Sequence, residues 1–187
     1  TNQLTEILKL HQVANGFVKN DDGEIEIFNN PKLDELMTVL DEINGKAIIW
    51  ANYIHNIKEI AEAIEKEYGK GSYVTMYGAT SVEDRKQVCE DFQTNEKVRF
   101  FIGNPTVGGY GLTLHAASYV IYYSNNYNLE VRLQSEDRAH RIGQTKNVLY
   151  IDIIAEDTVD EKIVSALDRK LTLSAKTLGE EIKTWLK

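Results

Sequence analysis

The chain has 187 residues, of which 42% are hydrophobic and 27% are charged, proportions that exclude a disordered or fibrous protein and fit an ordinary globular domain. The formal net charge of −8 argues against a surface coated with positive charge for nucleic acid, although a local basic groove is compatible with it. One cysteine excludes an internal disulfide and suits a reducing compartment, and no apolar run reaches the ~20 residues that a membrane span needs.

Residues 1–29 are predicted to form a lead-in that consists of a helix and a hairpin. Leu4 to Val13 reads as the helix. Residues 17–20 and 24–28 alternate in polarity around the Asp21-Asp22-Gly23 turn, which is typical of a β-hairpin. Asn30-Pro31 then predicts the start of a second helix, with the asparagine as its cap and the proline in its first turn.

Between residues 30 and 155, short apolar runs alternate with amphipathic segments. The apolar runs predict strands over 47–50, 73–76, 98–102, 119–123 and 148–154. Helices are expected between them, including one opened by a capping box at Thr80–Glu83 and one over Glu130–Arg141. The alternation predicts an α/β fold, in which a parallel sheet carries helices on both faces. Because ligands bind outside the carboxyl ends of such strands, the loops that follow them are the place to expect function.

Residues 156–187 are predicted to form a long C-terminal helix. Thr158–Glu161 has the form of a capping box. The apolar side of the helix carries Val159, Ile163, Leu167, Leu171 and Leu178. We therefore expect a single domain with a lead-in over 1–29, a core over 30–155 and this helix at its end.

The segment Gln134–Gln144 carries the strongest chemical signal in the sequence. It reads Gln-Ser-Glu-Asp-Arg-Ala-His-Arg-Ile-Gly-Gln, and on a helix Arg138 and Arg141 would share one face. Two guanidiniums on one face can clamp phosphate oxygens. The alternative is a solvated basic face that pairs with Glu136 and Asp137.

A second signal is the segment Gly108–Leu114, which reads Gly-Gly-Tyr-Gly-Leu-Thr-Leu and follows an expected strand. Its glycines would let backbone N–H groups approach a phosphate closely, and the alternative is a loop in which they serve chain geometry alone. A dinucleotide-binding fingerprint is excluded because it would need a third glycine at position 114, where leucine stands.

The segment Gly108–Leu114 resembles the fifth helicase motif of the Swi/Snf family, and the segment Gln134–Gln144 resembles the sixth. The members of this family are superfamily-two DNA-dependent ATPases. Residues 46–52 resemble the strand of the fourth motif, and residues 77–85 resemble the loop after the next strand. Residues 154–163 resemble the closing strand and the brace helix of the family. The resemblance is to the C-terminal helicase lobe and implies a three-layer, RecA-like parallel sheet followed by a brace helix.

The resemblance also implies roles for individual residues. Arg141 and Arg138 match the arginine fingers that reach the γ-phosphate of ATP across the lobe interface, and Gln134 matches the glutamine that opens the motif. Gly109 and Gly111 belong to a segment that touches the nucleotide site. The residues expected along the nucleic-acid path are Asn52, Thr80, Gly108 and Thr113. No spacing among the histidines suits a metal, so we expect no metal ligand from this chain.

The sequence lacks both Gly-x-x-x-x-Gly-Lys-Ser/Thr and an acidic pair at the end of a buried strand. The resemblance therefore implies that an N-terminal RecA-like lobe of the same protein holds ATP and Mg²⁺, and that this chain does not hydrolyse ATP alone. The resemblance implies DNA as the partner, duplex in preference to single-stranded, and we expect no membrane partner and a monomer.

Two other functions remain open from the sequence. The chain could be a lobe of a strand-separating DNA or RNA helicase, or a non-catalytic regulatory module that binds nucleic acid. The short interval between the hairpin and the fourth motif resembles compact bacterial or phage members, which favours a cytoplasmic protein, whereas a eukaryotic member would be nuclear.

Overall fold

The structure, a computed structural model, describes residues 2–107, 112–140, 144 and 147–177. The helices within these ranges are α1 Gln3–Ala14, α2 Pro31–Glu42, α3 Ile54–Tyr68, α4 Val82–Thr94, α5 Leu129–Glu136 and α6 Val159–Thr177. The strands are β1 Phe17–Lys19, β2 Ile25–Ile27, β3 Lys46–Trp50, β4 Tyr73–Met76, β5 Phe100–Gly103, β6 Ala117–Tyr122 and β7 Leu149–Asp152.

The last five strands form one parallel sheet in the order β4-β5-β3-β6-β7, and β1 pairs with β2 as the antiparallel hairpin expected from the sequence. In the large sheet, Trp50 at the end of β3 is in register with Gly103 of β5 and Tyr122 of β6. Met76 of β4 is likewise in register with Gly103. The strands therefore end together, and the loops that follow them lie along one carboxyl edge.

Helices cover both faces of the sheet. On one face, Ile49 of β3 packs in a cluster with Leu36 of α2 and Ile57 of α3. On the other face, Trp50 of the same strand packs with Phe92 of α4. Successive residues of a strand point to opposite faces. An uninterrupted apolar run therefore contributes side chains to the hydrophobic clusters on both faces of the sheet. Each fully buried side chain of this size contributes roughly 1.5–3 kcal/mol. The predicted three-layer α/β fold is confirmed.

Gly103 ends β5 at a point where the backbone and side chains approach closely. A Cβ atom there would stand 2.9 Å from the ring of Phe101, 3.0 Å from the carbonyl oxygen of Met76 and 3.2 Å from the ring of Trp50. A side chain would push β5 away from β4 at the carboxyl edge. Glycine at this position therefore allows the two strands to stay paired up to their ends.

Several elements differ from their predicted bounds: β6 spans Ala117–Tyr122 instead of 119–123, and β7 spans Leu149–Asp152 instead of 148–154. For β5 and α5 the structure shows the reason. β5 begins at Phe100 instead of residue 98, because the N–H of Val98 closes a turn to the carbonyl of Asn95 at 3.1 Å. α5 ends at Glu136, so the prediction of a helix that continues to residue 141 is wrong for residues 137–140, which form turns. The chain turns there because Ala139 is completely buried in the cluster around Trp50.

The N-terminal caps of α4 and α6 only partly follow the predicted boxes. The hydroxyl of Ser81 accepts a hydrogen bond from the N–H of Asp84 at 3.1 Å, so the cap of α4 lies one residue later than predicted. The hydroxyl of Thr158 accepts from the N–H of Asp160 at 3.1 Å, as expected of a cap. Glu161 reaches the N–H of Asp157 rather than that of Thr158.

Asn30 precedes α2 as predicted, but its side chain makes no cap hydrogen bond. Its amide donates to the hydroxyl of Tyr123 at 2.7 Å and to a carboxylate oxygen of Glu59 at 2.9 Å. Asn30 is buried, and leaving the N–H groups of its amide unpaired there would cost more than an unmade cap bond at a helix end. The Asn30 side chain therefore bonds Tyr123 and Glu59 instead of capping α2.

A buried ion pair joins α2 to α6. Nζ of Lys32 lies 2.6 Å from Oδ2 of Asp160, and the two side chains are only 4% and 5% exposed. Lys32 also donates to Oδ1 of Asn15 at 3.2 Å. Nε2 of His11 on α1 lies 3.6 Å from Oδ1 of Asp160. We call these four residues the Lys32–Asp160 cluster, and they tie the lead-in and the C-terminal helix to the core.

The cluster makes the stability of the chain depend on pH. Burial lowers the pKa of His11 from 6.5 to about 4, although the charge of Asp160 acts in the opposite direction. The folded chain therefore binds fewer protons than the unfolded chain between these values, and the free energy of unfolding should fall as the pH drops from 6.5 towards 4. Urea unfolding at pH 7 and pH 5 measures this loss.

The variant His11→Gln should show a smaller loss of stability between pH 7 and pH 5 than the wild type, because it lacks the titrating imidazole. His140→Asn is the matched control, since His140 is exposed, and it should keep the wild-type pH dependence. Equal losses for His11→Gln and the wild type would rule His11 out as the source.

The lead-in packs as a unit on the C-terminal helix, since α1 contacts both β1 and α6. The division into a lead-in, a core and a brace helix stays a prediction. Throughout the ranges described above, no helix combines the length and hydropathy that a membrane crossing requires.

Candidate functional site

Asparagine and serine side chains hold together the loops that follow β3, β5 and β6. Nδ2 of Asn52 donates to the carbonyl of Ser124 at 2.9 Å, and the N–H of Asn52 donates to the Ser124 hydroxyl at 2.9 Å. Nδ2 of Asn104 donates to the Asn52 carbonyl at 2.8 Å, and Nδ2 of Asn126 donates to Oδ1 of Asn52 at 3.1 Å. Asn52 therefore joins three loops at the carboxyl edge.

These bonds bear on the predicted contact between Asn52 and nucleic acid. Both the oxygen and the nitrogen of its amide have protein partners, so the side chain shapes the loops from within. Thr106 and Tyr127 lie on the loops that Asn52 joins, and both are exposed. Their side chains are polar groups that a ligand at this edge can reach. The contact of Asn52 itself stays a prediction.

Thr80 lies on the same edge, in the turn after β4. Its hydroxyl accepts from the N–H of Tyr77 at 3.1 Å, and its N–H donates to the Tyr77 carbonyl at 2.9 Å. Nε of Arg85 donates to the Thr80 carbonyl at 3.1 Å. Because β5 separates β4 from β3, the strands that lead to Thr80 and Asn52 are two strand spacings apart, about 10 Å. The structure brings these two predicted residues to one surface.

α5 follows the loop after β6 and presents Gln134 to solvent. Asn128 caps the helix, since its Oδ1 accepts from the N–H groups of Glu130 at 3.0 Å and Val131 at 3.3 Å. Gln134 is exposed, and its Nε2 donates to Oε1 of Glu130 at 2.9 Å. A hydrogen bond of this kind is worth about 1 kcal/mol, so Gln134 can exchange its partner for a ligand at little cost.

Arg138 lies in the turn that follows α5. Its N–H donates to the Ser135 carbonyl at 3.4 Å, and its carbonyl accepts from the N–H of Leu114 at 2.9 Å. Burial raises the pKa of the Cys89 thiol on α4, and the charge of Arg138 offsets part of that rise. The helical face that was predicted to pair Arg138 with Arg141 does not extend to Arg138, because α5 ends before it.

Arg132, which the sequence analysis did not single out, attaches α5 to the sheet. Its Nη1 lies 2.5 Å from Oδ1 of Asp152 and 2.9 Å from Oδ1 of Asn125. Its Nε lies 2.6 Å from Oε1 of Glu136, and its guanidinium carbon lies 3.5 Å from the centre of the Tyr122 ring. One side chain thus contacts β6, β7, the loop between β6 and α5, and α5 itself.

The guanidinium of Arg132 stays protonated in this environment. Burial by itself would lower its pKa, but the hydrogen bonds and the negative charge of Asp152 outweigh burial and raise it. The spacing of Arg132 and Glu136, four residues apart on a helix, was the signal available in the sequence. The partner on β7 could not be found that way.

Thr113 lies away from Asn52 and Thr80. Its carbonyl accepts a hydrogen bond from Nε2 of Gln93 at 3.0 Å, close to the C-terminal end of α4. α4 begins at the carboxyl edge and ends near the start of β5, so Thr113 is near the opposite edge. Gln144 is in the same region, since its Nε2 donates to the carbonyl of Ala117 at 2.9 Å.

The remaining predicted site residues, Gly108, Gly109, Gly111 and Arg141, lie outside the described residues. Their roles stay predictions. The chain on either side is described: the N–H of Val107 donates to the carbonyl of Asn104 at 3.1 Å, and residues 137–140 form the turns after α5. Among the side chains that the structure describes, no group of three or more His, Cys, Asp or Glu residues is arranged to hold a metal ion.

The family described as helicase conserved C-terminal domain matches residues 31–143, which is more than half of the chain. Over 153 residues the chain is 32% identical to the ATP-dependent helicase fft2 of Schizosaccharomyces pombe, covering 82% of this chain and 11% of that protein. It is 33% identical over 138 residues to the chromatin-remodeling ATPase INO80 of Mus musculus, covering 74% and 9%. The chain thus spans about a tenth of the length of these relatives.

Two solved structures share the fold. The C-terminal part of the Fun30 ATPase domain has a TM-score of 0.67 at 29% identity, with 74% of this chain and 46% of that chain covered. The Sulfolobus solfataricus SWI2/SNF2 ATPase core in complex with dsDNA has a TM-score of 0.69 at 29% identity, with 91% and 36% covered. These relatives come from a fungus, a mammal and an archaeon, and they give no support to the bacterial or phage origin expected above.

Proposed function

This chain belongs to the helicase conserved C-terminal domain family as the C-terminal lobe of a Swi/Snf-type ATPase, and we propose that it is the second half of an ATP-driven DNA translocase. One observation carries the proposal. The matched segment presents Gln134 on the exposed side of α5 and continues directly into Arg138. Polar and cationic groups are thereby gathered on one short segment, as a surface that meets a nucleotide in another lobe requires.

In this proposal the N-terminal RecA-like lobe binds ATP and Mg²⁺ through its own phosphate-binding loop and carboxylates. Closure of the two lobes would bring Arg141 and Arg138 to the γ-phosphate, where fixed positive charge stabilises the transition state of phosphoryl transfer. Gln134, Gly109 and Gly111 would contact the nucleotide. Reopening after hydrolysis would move the lobes along the nucleic acid.

Duplex DNA is the proposed track. The solved relative that carries dsDNA supports this choice, and the carboxyl-edge loops with Asn52 and Thr80 would meet the DNA backbone. Gly108 would contribute from the segment that follows β5. Thr113 lies near the opposite edge of the sheet, so it would reach the DNA backbone at a different point from Asn52 and Thr80. The net charge of −8 means that only local contacts can hold the phosphates. The proposed working unit is a monomer of the two-lobe protein.

Two other functions compete with translocation on duplex DNA. A strand-separating helicase lobe would give unwinding of a forked duplex by the two-lobe protein, which a translocase on intact duplex does not require. A non-catalytic regulatory module would bind nucleic acid without any stimulation of ATP hydrolysis. Assays of unwinding and of DNA-stimulated hydrolysis on the same preparation separate the three functions.

The purified 187-residue chain should release no phosphate from ATP above background, with or without duplex DNA. The reason is the missing phosphate-binding loop, without which the β- and γ-phosphates have no cradle. The two-lobe protein should hydrolyse ATP and be stimulated by duplex DNA. Phosphate release in both preparations measures the difference.

A contaminating ATPase is excluded by an Arg141→Ala version of the same chain, purified in parallel. If the wild-type chain hydrolysed ATP steadily and Arg141→Ala abolished that activity, the chain would be a complete enzyme, and the proposal that it is one half of a two-lobe enzyme would be wrong. A two-lobe protein that binds ATP but is indifferent to duplex DNA would favour the regulatory module.

A further inference from the structure

α5 is too short to hold its own position. It has eight residues, and helices shorter than about 12–15 residues are marginal in water without tertiary contacts. Of its residues only Ser135 is buried, and Leu129 packs against the apolar cluster of α6. Few apolar contacts therefore hold this helix in place, and its orientation depends on polar contacts.

The Arg132 side chain supplies those contacts. It is 15% exposed and bonds Asp152 at the end of β7 through both terminal nitrogens, at 2.5 and 3.2 Å. Nδ2 of Asn125 donates to the same Asp152 carboxylate at 2.6 Å. Beneath the guanidinium, the hydroxyls of Tyr122 and Ser135 are hydrogen-bonded at 2.6 Å. α5 is thus fastened to two neighbouring strands by polar contacts that are largely shielded from water.

The turns that carry Arg138 are hydrogen-bonded to the last turn of α5. The carbonyl of Glu136, whose carboxylate pairs with Arg132, accepts from the N–H groups of Ala139 and His140, both at 3.1 Å. The Arg138 carbonyl in turn accepts from Leu114. A shift of α5 would therefore carry the segment 137–140 with it.

We propose that Arg132 is a positioning residue, which fastens α5 to β6 and β7 and thereby sets where Arg138 and the residues after it meet the nucleotide. The catalytic consequence rests on the function proposed above, whereas the effect on the segment 137–140 does not. Arginine suits this place because its planar fork bonds a carboxylate at two points while its face stacks on an aromatic ring.

The first test uses the full 187-residue chain and needs no nucleotide. In Arg132→Met, amide hydrogen exchange at Arg138, Ala139, His140 and Leu114 should be at least about tenfold faster than in the wild type, because local opening becomes easier. Exchange in β3 should not change. Unchanged exchange at these four amides would overturn the proposal.

Arg99→Met is the matched control for this test. Arg99 is half-buried and, like Arg132, stacks on aromatic rings, at 4.9 Å from the centre of Phe100 and 5.2 Å from that of Tyr68, but it lies at the amino end of β5. Its loss should leave exchange at residues 137–140 as in the wild type. Equal acceleration by both variants would mean a general loss of stability and would also overturn the proposal.

The second test measures steady-state hydrolysis by the two-lobe protein. Arg132→Met should lower kcat about 10- to 100-fold, the range expected when a catalytic group is displaced by up to about 1 Å, and should leave the KM for ATP within about threefold. Arg132→Lys should recover less than half of the lost activity, because an ammonium cannot reproduce the two-point contact. Arg99→Met should keep the wild-type kcat.

If Arg132→Met fails to fold, Asp152→Asn weakens the same contact while it keeps every side chain close to its original shape, and it should move exchange and kcat in the same directions. A kcat within twofold of the wild type for Asp152→Asn and Arg132→Lys would overturn the proposal. Failure of the proposed function is separate: there the two-lobe protein would not hydrolyse ATP, or Arg141→Ala would leave its rate unchanged.

Discussion

Replacing Arg141 with alanine in the two-lobe protein should lower the rate of DNA-stimulated ATP hydrolysis about 10³- to 10⁵-fold, the contribution of an arginine finger. This corresponds to about 4–7 kcal/mol of transition-state stabilisation. The affinity for ATP should change much less, because in the proposed enzyme the phosphate cradle belongs to the N-terminal lobe. Single-turnover hydrolysis together with nucleotide binding separates the two effects.

Arg141→Lys should restore little of the rate, since a compact ammonium does not reproduce the planar contact with phosphate oxygens. Arg169→Ala is the control, because Arg169 is exposed on α6 and remote in sequence from the motif. If Arg141→Ala kept more than about a tenth of the wild-type rate, its loss would be far below that of a finger. Arg138, which directly follows α5, would then be the next candidate.

The largest effect on stability is expected at the Lys32–Asp160 cluster. Asp160→Asn should lower the free energy of unfolding by about 3–5 kcal/mol, because it leaves a buried ammonium without its charged partner. Burial already lowers the pKa of Lys32, and the charge of Asp160 opposes that effect. Lys32→Met should be similarly costly, since it leaves a buried carboxylate. Urea unfolding measures both.

The double variant Lys32→Met/Asp160→Leu should recover most of the lost stability, because apolar side chains of similar volume remove the desolvation penalty of both charges. Asp21→Asn is the control: it breaks the exposed pair between Lys9 and Asp21 and should leave the unfolding curve unchanged. A loss below about 1 kcal/mol for both single variants would show that water or other groups compensate, contrary to a buried pair.

The Lys32–Asp160 cluster would also transmit motion in the proposed cycle. It joins α1, α2 and α6, so the lead-in and the C-terminal helix should move with the core when the lobes close. In the two-lobe protein, Asp160→Asn would then lower thermal stability far more than it lowers kcat at a temperature where the protein is folded.

Local patterns in the sequence determined most of the secondary structure and the fold class. The apolar run before Trp50 predicted β3, and the Asn30-Pro31 pair predicted the start of α2. These predictions succeed because helix and strand periodicity is a property of adjacent residues, and buried parallel strands need apolar side chains on both faces. The motif Gln134–Gln144 also identified the family, which is a matter of residue order alone.

What the sequence could not determine are the pairings between residues far apart in the chain. Only the tertiary structure shows that Lys32 meets Asp160, that Asn52 is occupied by Ser124 and Asn126, and that Arg132 reaches Asp152. The early end of α5 has the same origin, because burial of Ala139 outweighs the local preference to continue the helix. Such pairings depend on strand order and on the packing of helices across the sheet, and periodicity carries no information about either.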